Sequence, residues 1–159
     1  MLIDRFITNK IKNMSNMETN IAFISGHIDL TQEEFDQYYK NKIDEAITKK
    51  HSFVIGDARG ADALAQEYLI NLIPKEKVKI YHMFDKPLVN KDNYKTVGGF
   101  KNHNKKDTAM TLGSDYDIAY VRSAELTKKI LEKKGILYNP KRKSGTQRNL
   151  DRREKLKPI

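Results

Sequence analysis

The chain has 159 residues, enough for one domain with a single core and too few for two ordinary ones. It carries a net charge of +9, with 32% charged and 38% hydrophobic residues, a polar balance that predicts mobile ends around a compact middle. No apolar run approaches the ~20 residues that span a bilayer, the first twenty residues lack the apolar core of a secretory signal, and with no cysteine, disulfides and thiolate chemistry are excluded; the expectation is a soluble, cytoplasmic protein without a membrane partner.

Residues 1–19 show no clear period. Leu2, Ile3, Phe6, Ile7 and Ile11 would share one face of a short helix, but a loosely docked or disordered extension is the expectation. Ile21 to Ile24 is a short apolar run stopped by Ser25-Gly26-His27 and reads as the first buried strand. Thr31 and Glu34 fit a capping box, and a helical period follows from Phe35 to about Lys50. Phe53 to Ile55 is the second strand, Ala61 to Leu72 the second helix, and Val78 to Met83 the third strand. Phe84 to Gly99, with Pro87 and paired glycines, reads as a long surface loop. Phe100 to Leu112 is a polar helix, Tyr116 to Val121 a fourth strand, Ala124 to Lys134 a charged helix, and Ile136-Leu137-Tyr138 a short strand or an extended connection. Gln147 to Lys155 is a last helical segment, opened by Ser144-Gly145-Thr146.

Strands that alternate with helices of this length make βαβ units. The predicted fold class is α/β: one Rossmann-like, three-layer domain over 20–156, with a mostly parallel four- or five-stranded sheet and helices on both faces. In such sheets ligands sit at the carboxyl ends of the strands and the N-termini of the following helices. Three turns qualify: Ser25-Gly26-His27, Gly56-Asp57-Ala58-Arg59-Gly60 and Ser144-Gly145-Thr146. Glycine lets a ligand approach the backbone, and hydroxyls add donors. Together they predict a phosphate or ribose pocket lined by Ser25, Gly26, His27, Gly56, Asp57, Arg59, Gly60, Ser144, Gly145, Thr146, Arg148 and Asn149.

Asp57 has two readings, a ligand group for a ribose diol or a catalytic water, and a helix cap or partner of Arg59. Arg59 itself can clamp a phosphate or stand in solvent. Asp62 suits the dipole of its helix. His27 is a general acid or base in one reading and a satisfied turn residue in the other. His82 and His103 lack nearby carboxylates, so no metal and no cofactor are expected. Asp115 and Asp117 share one side of a strand start, at the amino end, where a structural role is favoured. Lys105, Lys106 and Asp107 read as a solvated helix face. The charge surplus is local: from Lys128 to Lys157 twelve Lys or Arg stand against three Asp or Glu. That segment is a soluble tail or a polyanion-binding one, and with few aromatic residues any nucleic-acid contact would run through the backbone phosphates.

The run Gly56-Asp57-Ala58-Arg59-Gly60-Ala61-Asp62-Ala63-Leu64-Ala65 resembles the GxxxGADxLA stretch of the SLOG superfamily, and especially its YspA-like branch. Ser144-Gly145-Thr146 resembles the Gly-Thr turn that opens the last helix there, and Ile118 to Val121 the strand before it; the likeness covers Ile21 to about Glu154. The resemblance implies a Rossmann-like fold that binds nucleotides or nucleotide-derived ligands. Related LOG-type phosphoribohydrolases carry PGGxGTxxE with a functional glutamate. Here the paired glycines are absent, Asn149 stands at the glutamate position, and an insertion-like basic stretch, 124–143, precedes the turn. The expectation is therefore a nucleotide-binding sensor or carrier. The alternatives are an N-glycosidase or deoxyribosyltransferase-like enzyme using Asp57 as catalytic carboxylate, and a nucleic-acid accessory protein acting through 128–157. A homo-oligomer is compatible with each.

Overall fold

The computed structural model describes residues 4–10 and 20–158. Residues 4–10 form a first helix, α1, with Phe6 and Ile7 exposed; the other positions of the N-terminal extension lie outside the described residues. Five strands follow: β1 (Ile21–Ser25), β2 (Ser52–Gly56), β3 (Val78–Met83), β4 (Lys95–Phe100) and β5 (Tyr116–Ala119). They form one all-parallel sheet in the order β4-β3-β2-β1-β5, the core of a three-layer, Rossmann-like domain.

The central strands are apolar on both faces because both faces are covered. Their register aligns Ile80, Ile55, Ile24 and Ile118 in one row across four strands. Helices α2 (Gln32–Tyr38), α3 (Lys40–Thr48) and α4 (Ala61–Tyr68) cover that side with Phe35, Tyr39, Ile43, Ala46, Ala61, Ala65 and Leu69. The alternate residues Phe23 and Val54 face the other layer, where Met110 of α5 (His103–Leu112) seals them. Helix α7 (Gly145–Leu156) packs beside α5 on β5, whereas α6 (Ala124–Lys133) buries none of its residues.

Thr31 and Glu34 do form the capping box. The helical stretch beyond them is kinked at Tyr39 rather than continuous, with φ −115° there. The ladder runs through the kink, since Tyr39 N–H reaches Phe35 O at 2.9 Å and Ile43 N–H reaches Tyr39 O at 3.0 Å.

The chief correction is β4, which lies in the stretch read as a long loop. Its residues, Lys-Thr-Val-Gly-Gly-Phe, are exposed or half-buried at the sheet edge, so no apolar run was required to mark it. The connection 84–94 crosses to it without a helix. Gln66 holds that connection: its amide donates to Gly56 O and Val89 O and accepts from Lys91 N–H. Other boundaries shift as well. Helix α4 ends at Tyr68, α5 begins at His103, β5 ends at Ala119, and α7 begins at Gly145. Ile136 to Tyr138 pairs with no strand, and Leu137 is 93% exposed.

Candidate functional site

The chain steps outward from β1 through β4 and then returns to the other side of β1 with β5. The reversal places a crevice at the carboxyl ends of β1 and β5, the position where open α/β sheets bind ligands. On the side of α2 and α3 the crevice is filled by structural contacts. Tyr39 Oη donates to Ser25 O at 2.7 Å and accepts from Tyr120 N–H at 3.0 Å. His27 Nε2 accepts from Arg122 N–H at 3.1 Å, so that nitrogen carries no proton. Burial, and then the nearby Arg122 charge, lower its pKa and keep the ring neutral. The Arg122 guanidinium bonds Asp29 and Glu34, both at 2.7 Å, and Lys134 reaches Asp29 from α6's end. A Cβ on Gly26 would strike Tyr39 Oη and Ala61. Gly60, at φ +72°, presses on the backbone of His27 and Ile28, where no side chain fits. Gly26, His27 and Gly60 therefore lock the turns together.

The opposite side of the same edge is different. Met110 packs on Phe23 and Val54, and Lys106 lies one helical turn before it. That turn, about 6 Å of rise, matches the two strand residues, roughly 6.6 Å, that lead from Phe23 to Ser25 and from Val54 to Gly56. Lys106 thus overlies the carboxyl ends of β1 and β2. Its side chain is 6% exposed, with Nζ 3.7 Å from Asp57 Oδ1 and 3.9 Å from Asp107 Oδ1. Asp57 is buried, and its Oδ2 accepts from Leu88 N–H at 2.8 Å while its carbonyl accepts from Val89 N–H. Asp62, from the first turn of α4, accepts from Ala58 N–H at 3.1 Å. The residue keeps some surface, but its carboxyl is packed deeply enough that burial pushes it up to about 7, the Ala58 bond and Lys106 opposing. Burial also raises Asp107. Ser25 Oγ is buried without a hydrogen-bond partner.

Helix α7 closes the crevice with buried Thr146 and Asn149. Arg152 donates to Asn149 Oδ1 at 2.7 Å and to Asn104 Oδ1 at the start of α5, joining the two helices. Ser144 is the N-cap of α7, its Oγ accepting from Gln147 N–H at 3.1 Å. Gly145 is exposed with open space around it. Arg59 and Arg148 are exposed and have no partner among the described residues, so Asp57 pairs with Lys106 rather than with Arg59.

Of the predicted groups, Ser25, Gly56 and Asp57 meet at one buried cluster, and Thr146 and Asn149 lie in the adjoining helix. Lys106 is the correction: it is buried, with Asp107 half-buried beside it, whereas Lys105 is exposed as expected of a solvated face. The signal was its spacing from Met110, which puts Lys106 at i−4 on the inward face. The basic segment is also partly internal. Arg153 bonds Asp117 at 3.0 Å together with Thr111 O, Ser114 O and Ser114 Oγ, and Lys143 bonds Asp151. Asp115 Oδ2 accepts from Ile21 N–H at 2.7 Å, a structural contact at the amino edge.

Two clefts lie away from this edge. One of about 360 Å³ sits at the amino edge, beside His51 and Tyr116, whose Nδ1 and Oη are 2.7 Å apart. The other, about 430 Å³, runs along α6. Both are open surface clefts, and the first is lined by Asp117, whose Oδ1 is buried without a partner; the carboxyl edge is favoured because Ser25 Oγ and the Asp57–Lys106 pair stand there beside the chain reversal. Compared with family models, curated proteins and solved structures, the chain has no match.

Proposed function

We propose that the protein binds a nucleotide or nucleotide-derived ligand at the carboxyl edge of its sheet, as a sensor or carrier. One observation carries the reading: adjacent strands β1 and β2 end on Ser25 Oγ, without a partner, and on the buried Asp57–Lys106 pair, beside the chain reversal. Buried polar groups are normally satisfied, and a ligand would satisfy these. The resemblance of Gly56 to Ala65 to the SLOG motif agrees with this ligand class. A thermal-shift screen of nucleotides at fixed salt tests it. A ligand at a hundred times its Kd stabilises by about 2.7 kcal/mol. If every nucleotide leaves the melting temperature unchanged while the free protein melts cooperatively, the reading fails.

A second reading, N-glycosidic bond cleavage or transfer, is favoured by Asp62. A carboxyl held near 7 is poised to protonate a departing base, with Asp57 as the second carboxyl, at the sugar. Chromatography of free base released from nucleoside monophosphates tests this reading. It predicts release that is lost in both Asp62→Asn and Asp57→Asn. Nucleic-acid binding through 128–157 has less support, because Lys129, Lys134, Lys143, Arg152, Arg153 and Lys157 all have protein partners.

A further inference from the structure

Lys106 raises a question that ion pairing does not answer. A buried ammonium costs several kcal/mol unless it is paired and hydrogen-bonded. Among the described residues, buried Arg122 meets this requirement at 2.7 Å from both its carboxylates, and half-buried Arg153 lies 3.0 Å from Asp117. Lys106 does not: its two carboxylate neighbours stand at 3.7 and 3.9 Å, too far for a hydrogen bond. Ser25 Oγ, beneath the same helical turn, has no partner either. Two donors without a protein acceptor, Ser25 Oγ and Lys106 Nζ, therefore lie at the same edge of the sheet. Acceptors are also in reserve there, because Leu88 N–H occupies only Oδ2 of Asp57, leaving Oδ1 facing Lys106.

The charge balance selects the ligand group. Asp57, Asp62 and Asp107 gather around Lys106, the cation packed among them, with Arg152 acting on Asp107 from α7, so a phosphate placed beside Asp57 would stand against a carboxylate as close as the ammonium. A neutral vicinal diol meets no such repulsion. One hydroxyl accepts from Lys106 and donates to Asp57 Oδ1, and the other accepts from Ser25 Oγ.

Resting on the nucleotide-binding reading above, we infer that Lys106 is the ligand-contacting cation of the site, and that with Asp57 and Ser25 it holds the diol of a ribose-type sugar rather than a phosphate. The phosphate of a nucleotide would then lie outside this cluster, toward solvent.

The test uses the full chain and Lys106→Met, which keeps the length of the side chain and removes its charge. Unliganded melting is measured first. The inference expects a fall of no more than about 6 °C, since Asp57 loses a counter-charge at 3.7 Å but keeps its hydrogen bond from Leu88 N–H; a larger fall marks a structural ion pair and overturns it. Thermal shifts are then recorded with ribonucleosides, 2′-deoxyribonucleosides, D-ribose and inorganic phosphate. Expected are a shift with ribonucleosides, affinity weaker by roughly tenfold or more for the 2′-deoxy forms, no shift with phosphate, and loss of the ribonucleoside shift in Lys106→Met. A ribonucleoside shift that survives in Lys106→Met, or a phosphate shift equal to it, overturns the inference. If D-ribose binds through Lys106 while every nucleoside and nucleotide fails, the diol assignment stands and the nucleotide reading falls. If no ribose-bearing probe binds, both fall.

Discussion

Replacing Arg153 by Met should be among the most damaging single changes in α7. Arg153 reaches from α7 to four acceptors at once: Asp117 in β5, the carbonyls of Thr111 and Ser114 at and just past the end of α5, and Ser114 Oγ. The Asp117 side chain is 5% exposed, and its Oδ1 has no hydrogen-bond partner, so its charge depends on this guanidinium through Oδ2 alone. Removing one partner of a buried pair costs about 3–5 kcal/mol, because the other charge is left uncompensated. For a chain of this size each kcal/mol moves the midpoint by about 2–4 °C, which gives a fall of about 10 °C in thermal unfolding followed by circular dichroism. The double variant Arg153→Met, Asp117→Asn removes the stranded charge and should recover roughly half of the loss. A fall below about 2 °C in the single variant, or a double variant no more stable than the single one, would show that the pair is not what joins α7 to the sheet.

Three further outcomes follow from the same edge of the sheet. Burial alone would raise Asp29, but hydrogen bonds from Lys134 and Arg122 outweigh it and hold the carboxyl at about 2; Glu34 is brought to about 2 chiefly by Arg122. Both folded values lie below the unfolded ones, so this stabilisation is complete above about pH 5 and is lost as pH falls toward 2; Arg122→Met should flatten that limb of a stability-against-pH curve. Asp62 has the opposite sign, since a folded value near 7 exceeds the unfolded one; its contribution is present at low pH and lost as pH rises through 7. Asp62→Asn should therefore raise the melting temperature at pH 8 relative to the parent and change it little at pH 4, and equal effects at both would contradict the burial of that carboxyl. Gly26→Ala should destabilise by about 1–3 kcal/mol through overpacking against Tyr39 Oη and Ala61, measured by urea unfolding. A neutral result there would show that the packing against Tyr39 and Ala61 does not require a glycine.

Local pattern and tertiary context divide cleanly along this chain. The apolar runs ending at Ile24 and Ile55 and the alternation from Val78 declare buried parallel strands, because residues covered on both faces leave no polar positions. The Thr31–Glu34 box marks its helix start because capping is settled within four residues. These alternations sufficed for the α/β class and for placing Ser25, Gly56 and Asp57 at one edge. β4 escaped because an exposed edge strand needs backbone partners, not apolar side chains, and its partner β3 is supplied only by the fold. The fate of each charged group was likewise decided in three dimensions. Arg153 and Asp117 are 36 residues apart in the chain, Arg122 and Asp29 are 93 apart, and no local spacing couples them. The same holds for Lys106: its neighbours on α5 read as a polar helix, and only the packing of Met110 on Phe23 and Val54 turns it inward. Sequence determines which residues are able to bond. The tertiary structure decides which of them are already satisfied, and so which are left for a ligand.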